Sequence, residues 1–256
     1  MAYDRREWIE SRELEPQERL LLELFDQREH LTIFDVGACE GENSVRYARL
    51  FPRADVYSVE PLPTNIKRIE DAVRTYGVRN VTPIQACLSS GEDAVEFHVS
   101  SGRPPGRDSE LADWDFGNKS SSLLPPGETL AIYPWLEFTE TVRIRTSRLD
   151  EVAARRAVTQ IDFLHLDVQG AELLVLEGAG PLLSRVWTLW LEVEAVPLYA
   201  GQPLRREIER FLDDRGFVKL LDTVGDVSGD QFWAKAGWLR SRKIPFWRRL
   251  RRALHA

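Results

Sequence analysis

The stretch Ile33-Phe34-Asp35-Val36-Gly37-Ala38-Cys39-Glu40-Gly41 runs from an apolar strand into a loop that contains two glycines. A second apolar run, residues 56–59, ends at Glu60, 19 residues after Gly41. Glycine lets a backbone approach a ligand closely, and a carboxylate at the tip of the next strand accepts hydrogen bonds from ribose hydroxyls. The two stretches together predict a nucleoside pocket at the ends of neighbouring strands.

The loop after the first strand differs from a dinucleotide-binding loop. Counted from Gly37, the positions of the second and third glycines hold Cys39 and Glu42. A pyrophosphate needs those glycines to reach the amides at the start of the helix. S-adenosylmethionine has no phosphate, so the loop favours this cofactor over a nicotinamide dinucleotide. Two alternatives stay open: an NAD-dependent oxidoreductase on a similar sheet, and a non-catalytic protein that binds a cofactor.

Length and composition indicate one large domain or two small ones with a sizeable core. The chain has 256 residues, of which 43% are hydrophobic. It contains no run of 18 apolar residues that would predict a membrane-spanning helix. Residues 1–7 are charged with no apolar stretch behind them, so no secretory signal is predicted. The two cysteines, Cys39 and Cys87, make neither a disulfide framework nor a zinc site, and a cytoplasmic location is expected.

Charge is distributed unevenly along the chain. Residues 240–256 hold seven Lys or Arg and no acid, although the whole chain carries a net charge of −7. The acidic body predicts no nucleic-acid partner, because neutralising phosphates requires clustered Lys and Arg. If a helix begins at Pro245, one face of this basic tail carries four apolar side chains: Phe246, Trp247, Leu250 and Leu254. Such a face predicts peripheral contact with an anionic membrane; the alternative is a solvated tail or one that docks onto the acidic body.

Apolar runs alternate with helical patterns along most of the chain. Strands are predicted at residues 31–35, 56–60, 81–86, 95–99, 142–146, 161–167, 186–193, 217–221 and 231–234. Helices are predicted at residues 15–28, 43–51, 64–76, 150–156, 171–183 and 204–215. The pattern predicts an α/β, Rossmann-like fold: a seven-stranded, mostly parallel sheet with helices on both faces and an antiparallel closing strand. Residues 1–30 form an N-terminal helical segment and residues 31–239 the main domain.

Residues 100–140 interrupt the alternation. They hold five of the 14 prolines and four of the 16 glycines. They also contain aromatic side chains, among them Trp114, Phe116, Tyr133 and Trp135. Aromatic residues argue against plain disorder, and a loop of this length in a compact domain is usually functional. We predict an insertion or lid that faces the substrate; the alternative is a decorative insertion.

Five motifs carry a resemblance to a known family. They are Asp35-Val36-Gly37-Ala38, Val59-Glu60-Pro61, Arg148-Leu149-Asp150, Leu166-Asp167-Val168-Gln169-Gly170-Ala171-Glu172-Leu173 and Val175-Leu176-Glu177-Gly178-Ala179. Together they resemble the FkbM family over about residues 32–233, and the last two motifs are the most specific. The resemblance implies an S-adenosylmethionine-dependent methyltransferase that acts on a hydroxyl of a sugar or other small natural product.

Three positions depart from the family pattern. Cys39 stands where the family commonly has Asn, Gln169 where it often has Glu, and His165 where Lys is usual. Cys39 is a mild change in a loop that works mainly through its backbone. Gln169 removes one carboxylate, and His165 replaces an ammonium group with a titratable ring.

The motifs and the strand ends together define the candidate site. Asp167, which closes a strongly apolar strand, could act as general base, bind the substrate hydroxyl or ligate a divalent cation; the alternative is that it caps the following helix. His165 points to the same face and is a second candidate, the alternative being a core histidine. Glu192 offers a second carboxylate, and the pair could share Mg²⁺. Cofactor contacts are predicted at Asp35, Gly37, Ala38, Gly41, Asn43, Ser44, Glu60, Pro61, Ala86, Cys87 and Asp167.

Overall fold

The computed structural model of the chain describes residues 5–105 and 116–242. Within these ranges the strands are β1 Thr32–Val36, β2 Asp55–Glu60, β3 Val81–Gln85, β4 Cys87–Leu88, β5 Ala94–Gly102, β6 Leu136–Ser147, β7 Ile161–Leu166, β8 Val186–Glu194, β9 Phe217–Asp222 and β10 Ser228–Lys235. The helices are α1 Arg5–Glu10, α2 Pro16–Leu24, α3 Glu42–Leu50, α4 Pro63–Thr75, α5 Thr129–Ile132, α6 Leu149–Ala154, α7 Glu172–Gly178, α8 Arg205–Asp213 and α9 Ala236–Ser241. Short 3₁₀ helices cover Phe116–Ser120 and Gly180–Arg185.

A seven-stranded sheet in the order β3-β2-β1-β7-β8-β10-β9 forms the centre of the fold. The strands from β3 to β8 are parallel, and β10 runs antiparallel to both β8 and β9. In this register Val36 lies beside both Val59 and Leu166, so the carboxyl ends of β2, β1 and β7 meet. Ligands bind at this edge in open α/β sheets. The predicted Rossmann-like sheet with its antiparallel closing strand is confirmed.

Both faces of the sheet are covered, which explains why its central strands are apolar throughout. Every residue of β7 is buried. One face packs against α6, α7 and α8, and the other against α2, α3 and α9. Each large side chain buried there contributes roughly 1.5–3 kcal/mol. A parallel sheet covered in this way needs continuous apolar runs rather than alternating ones.

A second sheet, in the order β4-β6-β5, lies outside the parallel one. The strand predicted at residues 142–146 is only the end of the 12-residue strand β6, which pairs antiparallel with β5. The predicted insertion therefore begins and ends in strands. The stretch between them is rich in proline and glycine, which indicated a loop. The pairing of β5 with β6 places Phe97 beside Val142, and local patterns cannot predict contacts between residues so far apart in the chain.

The chain ends differ in part from the prediction. The helix predicted at residues 15–28 is shorter in the structure, where α2 begins at Pro16 and ends at Leu24, and a separate helix, α1, precedes it. The interpretation of the basic tail concerns mainly residues 243–256, which lie outside the described residues. Arg242, the last one described, donates to a carboxylate oxygen of Glu29 at 2.8 Å. Within the described ranges, none of the helices has the length and apolar character required to cross a membrane.

Candidate active site

The loop after β1 joins the tips of three strands. Gly37 adopts a left-handed conformation with φ +81°, and its amide donates to the Val59 carbonyl at 3.0 Å. A side chain at this position would place its Cβ 1.8 Å from the carbonyl oxygen of Asp167. Ala38 is buried and also donates to Val59, at 3.1 Å. Gly41, with φ +80°, begins α3. Only glycine fits the close approach at position 37.

Glu60 accepts three hydrogen bonds at the end of β2. Its Oε2 accepts from the Cys39 amide at 3.0 Å, and its Oε1 accepts from the Leu62 amide at 2.9 Å and from Asn65 Nδ2 at 3.2 Å. Burial raises the pKa of the Glu60 carboxyl to about 7 and outweighs these bonds, which favour the ionised form. A carboxylate has about four acceptor sites. Glu60 therefore retains capacity to accept a ribose hydroxyl when it is ionised.

A cleft with about 520 Å³ of open space, including its mouth, follows the tips of β1, β2, β3 and β7. This size suits a small-molecule cofactor. Six of the predicted cofactor residues line it: Gly37, Glu60, Pro61, Ala86, Cys87 and Asp167. Burial raises the pKa of the Cys87 thiol to about 12, so this residue stays a neutral part of the wall.

Asp35 and Ser44 lie beneath the loop and contact each other. Ser44 Oγ donates to Asp35 Oδ2 at 2.5 Å, and His165 Nδ1 lies 3.0 Å from Asp35 Oδ1. Asp35 is only 1% exposed, so its two oxygens serve to connect α3, β1 and β7. These contacts favour a role for Asp35 in bracing the loop rather than in contacting the cofactor. Ser44 belongs to this network, whereas its neighbour Asn43 lines a different cavity.

His165 is held by the same network. Its Nδ1 lies 3.2 Å from the Tyr47 hydroxyl as well as beside Asp35. Burial lowers the pKa of the imidazole, but the hydrogen bond and charge of Asp35 outweigh it, so the pKa of His165 is raised. A raised pKa increases the protonated fraction of the ring, and a protonated ring cannot accept the substrate proton. The geometry favours a positioning role for His165.

Asp167 lies where three cavities meet. It lines the cofactor cleft and also a second cleft, with about 580 Å³ of open space, beside Tyr133, Trp135 and Glu192. We call this second space the acceptor cleft. A third cavity, lined among others by Asn43 and His165, reaches Asp167 from the side of the N-terminal helices. A carboxylate shared by adjacent cavities can contact a donor and an acceptor at once.

Glu192 lies next to Asp167 as predicted from the strand ends, but Gln169 stands between them. Gln169 Nε2 donates to Asp167 Oδ1 at 2.6 Å and to Glu192 Oε2 at 2.7 Å. Burial, and then the charge of Asp167, raise the pKa of the Glu192 carboxyl well above its usual range. The parts of the chain that the structure describes hold no group of three or more His, Cys, Asp or Glu side chains placed to bind a metal. The magnesium prediction therefore receives no support.

The segment 116–124 covers the cofactor cleft, and none of its residues was among the predicted site residues. Asn118 Nδ2 donates to Asn65 Oδ1 at 2.7 Å, and Lys119 Nζ donates to Glu42. Asn118 and Lys119 both line the cleft. These contacts join residues more than 50 positions apart in the chain, so spacing alone could not reveal them. Trp114, from the same predicted insertion, lies outside the described residues.

Comparisons with known proteins agree with this geometry. The model of the methyltransferase FkbM domain matches residues 35–219. The 2-O-methyltransferase NoeI of Sinorhizobium fredii (strain NBRC 101917 / NGR234) is 29% identical over 174 residues, which cover 68% of each chain. Among solved structures, precorrin-6y C5,15-methyltransferase of Geobacter metallireducens GS-15 has 14% identity and a TM-score of 0.45, covering 91% of this chain and 96% of that one. Aeropyrum pernix fibrillarin, solved with bound S-adenosyl-L-methionine, has 16% identity and a TM-score of 0.45, covering 84% and 72%.

The family match decides between the alternatives that the loop left open. It covers the loop, Glu60 and the Asp167 motif in one domain, and it sets aside the oxidoreductase and the non-catalytic protein. The cofactor is S-adenosylmethionine, in keeping with a cleft whose loop lacks the glycines for a pyrophosphate. The chain belongs to the FkbM family of methyltransferases.

Proposed function

We propose that this enzyme transfers the methyl group of S-adenosylmethionine to a hydroxyl oxygen of a sugar or another small hydroxylated molecule. One observation carries the proposal: Asp167 lines both the cofactor cleft and the acceptor cleft. The name of the relative NoeI, a 2-O-methyltransferase, supports oxygen as the acceptor atom. Glu60 and the loop at Gly37 would hold the nucleoside, and the segment 116–124 would cover it.

The reaction needs alignment more than covalent help. S-adenosylmethionine supplies an electrophilic methyl group on a sulfonium. The acceptor oxygen forms a bond to that carbon as the carbon–sulfur bond breaks, and the electron pair of that bond stays on sulfur. The hydroxyl proton passes to the carboxylate of Asp167, which acts as general base. Burial and the charge of Asp167 raise the pKa of the Glu192 carboxyl well above its usual range, which disfavours a second negative charge beside Asp167.

The acceptor cleft has the chemistry of a carbohydrate site. Tyr133 and Trp135 are half-buried, and their ring centroids lie 6.4 Å apart. Aromatic faces offer a broad apolar surface to a sugar ring. Ser120 and Thr129 also line the cleft. This combination of aromatic and polar groups favours a polyhydroxylated acceptor over a purely apolar one.

The first test concerns the cofactor and uses calorimetric titration. S-adenosylhomocysteine should bind the full chain, and NADH should not. A screen of methyl pyranosides and hydroxylated natural products, with release of S-adenosylhomocysteine as the readout, should then identify an acceptor. Binding of NADH in place of S-adenosylhomocysteine would defeat the proposal at its first step.

Replacement of Asp167 tests the general base. Asp167→Asn keeps the shape of the side chain and removes its basicity, so kcat should fall by about 10²–10⁴-fold. Affinity for S-adenosylhomocysteine should change by less than about threefold, since the nucleoside contacts remain. Asp213→Asn, on the exposed end of α8, is the matched control and should keep its turnover. An Asp167→Asn enzyme with unchanged kcat would show that another group takes the proton.

A further inference from the structure

We infer that Gln169 is a positioning residue whose side-chain amide holds the carboxyl groups of Asp167 and Glu192 together. The amide occupies the space between the two carboxyl groups in which a shared divalent cation would have to lie. The inference rests on the proposed role of Asp167. Its basis is that Gln169 Nε2 lies 2.6 Å from Asp167 Oδ1 and 2.7 Å from Glu192 Oε2.

The hydrogen-bond network determines which way the Gln169 amide points. An amide nitrogen has two hydrogens to donate, and here each has a carboxyl oxygen as acceptor. Gln169 Oε1 lies 2.8 Å from the hydroxyl of Tyr199, which can donate to it. In this orientation both amide hydrogens reach carboxyl oxygens, and the Tyr199 hydroxyl, with its single hydrogen, faces both Gln169 Oε1 and the Ser120 carbonyl.

The donor set between the carboxyls does not fit magnesium. Mg²⁺ requires oxygen ligands at about 2.0–2.1 Å in octahedral arrangement. The group between Asp167 and Glu192 is instead a nitrogen that carries hydrogens, and it has no lone pair to offer a metal. A cation could enter only if the Gln169 side chain moved out and broke its bonds to Asp167, Glu192 and Tyr199.

Gln169 is itself anchored to the segment that covers the site. Its backbone has φ +55°, a left-handed conformation that is uncommon for a residue with a side chain. Its carbonyl oxygen accepts from Ser122 Oγ at 2.7 Å. The Tyr199 hydroxyl that meets its side chain also lies 2.9 Å from the Ser120 carbonyl. The covering segment therefore contacts the Gln169 backbone directly and its side chain through Tyr199.

The test compares Gln169→Leu and Gln169→Glu with the wild type. Gln169→Leu removes the two donors, and Gln169→Glu replaces them with a third carboxylate. Both should lower kcat by about 10–100-fold, as expected for residues that orient a reacting group, with KM for S-adenosylmethionine within about threefold. Gln169→Glu should also shift the acidic limb of the pH–rate profile to higher pH, since a further negative charge raises the pKa of its neighbours. Gln27→Glu, exposed in the turn after α2, is the control for added charge.

A second measurement needs no acceptor and uses Mn²⁺ as the probe, followed by electron paramagnetic resonance. The wild type should show no stoichiometric site, and its methyl transfer should be unaffected by EDTA. Gln169→Glu should gain one Mn²⁺ that Mg²⁺ displaces and that Asp167→Asn abolishes. The inference is overturned if the wild type binds one Mn²⁺ that Asp167→Asn removes, or if Gln169→Leu keeps wild-type kcat. If S-adenosylhomocysteine binds and Asp167→Asn is inactive while both Gln169 variants are fully active, only this inference fails and the proposed function stands.

Discussion

At the scale of single residues, the site contains buried acidic groups, and burial disfavours their ionised forms. Glu60 is 5% exposed, and its pKa lies at about 7. The pKa of Asp230, which lines the third cavity, is raised to about 6 for the same reason. Such groups change charge near neutral pH, whereas an exposed carboxyl does so near pH 4. Cofactor binding should therefore depend on pH in a range where most carboxyl groups are already ionised.

Glu60 gives a prediction about pH and cofactor affinity. In the proposed site the ionised carboxylate of Glu60 accepts from a ribose hydroxyl, and the pKa of Glu60 is raised to about 7. Affinity for S-adenosylhomocysteine should therefore rise as the pH increases from about 6 to 8 and level off above that. Glu60→Gln should weaken binding by about tenfold, the loss of one charge-assisted hydrogen bond, and should flatten the pH dependence. Calorimetric titration across this range is the measurement.

The control for Glu60 is Glu70→Gln, on the exposed face of α4. It should bind S-adenosylhomocysteine with the affinity and the pH dependence of the wild type. A comparison of melting temperatures separates lost affinity from lost folding, because Glu60 also accepts from three protein donors. A Glu60→Gln protein that retains the rise in affinity between pH 6 and 8 would assign that titration to another group.

At the scale of elements, the covering segment is attached to the second sheet by close backbone contact. The 3₁₀ helix at Phe116–Ser120 lies on β5, and Ser100 Oγ donates to the Gly117 carbonyl at 2.6 Å. A Cβ at Gly117 would lie 2.1 Å from the Gly102 carbonyl oxygen. The β5–β6 pair thus acts as the platform that holds this segment over the cofactor cleft. A small change in the platform should act on binding while leaving the parallel sheet intact.

Gly117→Ala should displace the covering segment. The added methyl group meets backbone atoms of Ser101 and Gly102 that cannot move without disturbing β5, and overpacking of this kind costs roughly 1–3 kcal/mol. We expect affinity for S-adenosylhomocysteine to fall by about tenfold and limited proteolysis of the segment to become faster. Gly91→Ala, where the nearest atom is a side-chain oxygen of Asp93 at 3.4 Å, is the control. Equal affinities in the two variants would contradict the role given to this contact.

At the scale of the whole molecule, a buried arginine connects the N-terminal helices to the main domain. Arg46, on α3, is 6% exposed and donates to Glu18 Oε1 of α2 at 2.8 Å. It also donates to the carbonyl oxygens of Trp8 at 2.5 Å and Glu13 at 2.8 Å. α3 starts at the cofactor loop, so these bonds connect the chain's first elements to the site. Polar contacts thus connect the predicted N-terminal segment to the predicted main domain.

Arg46→Met should destabilise the whole protein. It leaves Glu18, which is 2% exposed, as a buried charge without its partner, at a cost of roughly 3 kcal/mol or more. Tm should fall by roughly 5–10 °C, measured by calorimetry. Arg74→Met removes an exposed arginine paired with Asp71 and should leave Tm nearly unchanged. Adding Glu18→Leu to Arg46→Met should restore part of the loss; if the double variant melts lower still, the cost does not come from an unpaired charge.

Local patterns in the sequence were sufficient to predict the parallel sheet and the nucleoside half of the site. The glycines at 37 and 41 mark the turn because few other residues tolerate φ near +80°. Glu60 and Asp167 follow apolar strands, and the carboxyl ends of parallel strands meet at one edge. Each of these features involves only a few neighbouring residues, so spacing along the chain is enough to detect it.

Only the tertiary structure showed which side chains surround the acceptor cleft. Gln169 drew attention only as a departure from a family pattern, and its role depends on Glu192 and Tyr199, which lie 23 and 30 residues away in the chain. Asn118 and Lys119 reach the cleft because β5 and β6 pair across an insertion whose composition suggested only a loop. The sequence by itself therefore determined the fold, the cofactor loop and the candidate base. The folded chain decided which side chains surround that base, because hydrogen bonds between distant segments leave no periodic signal in the sequence.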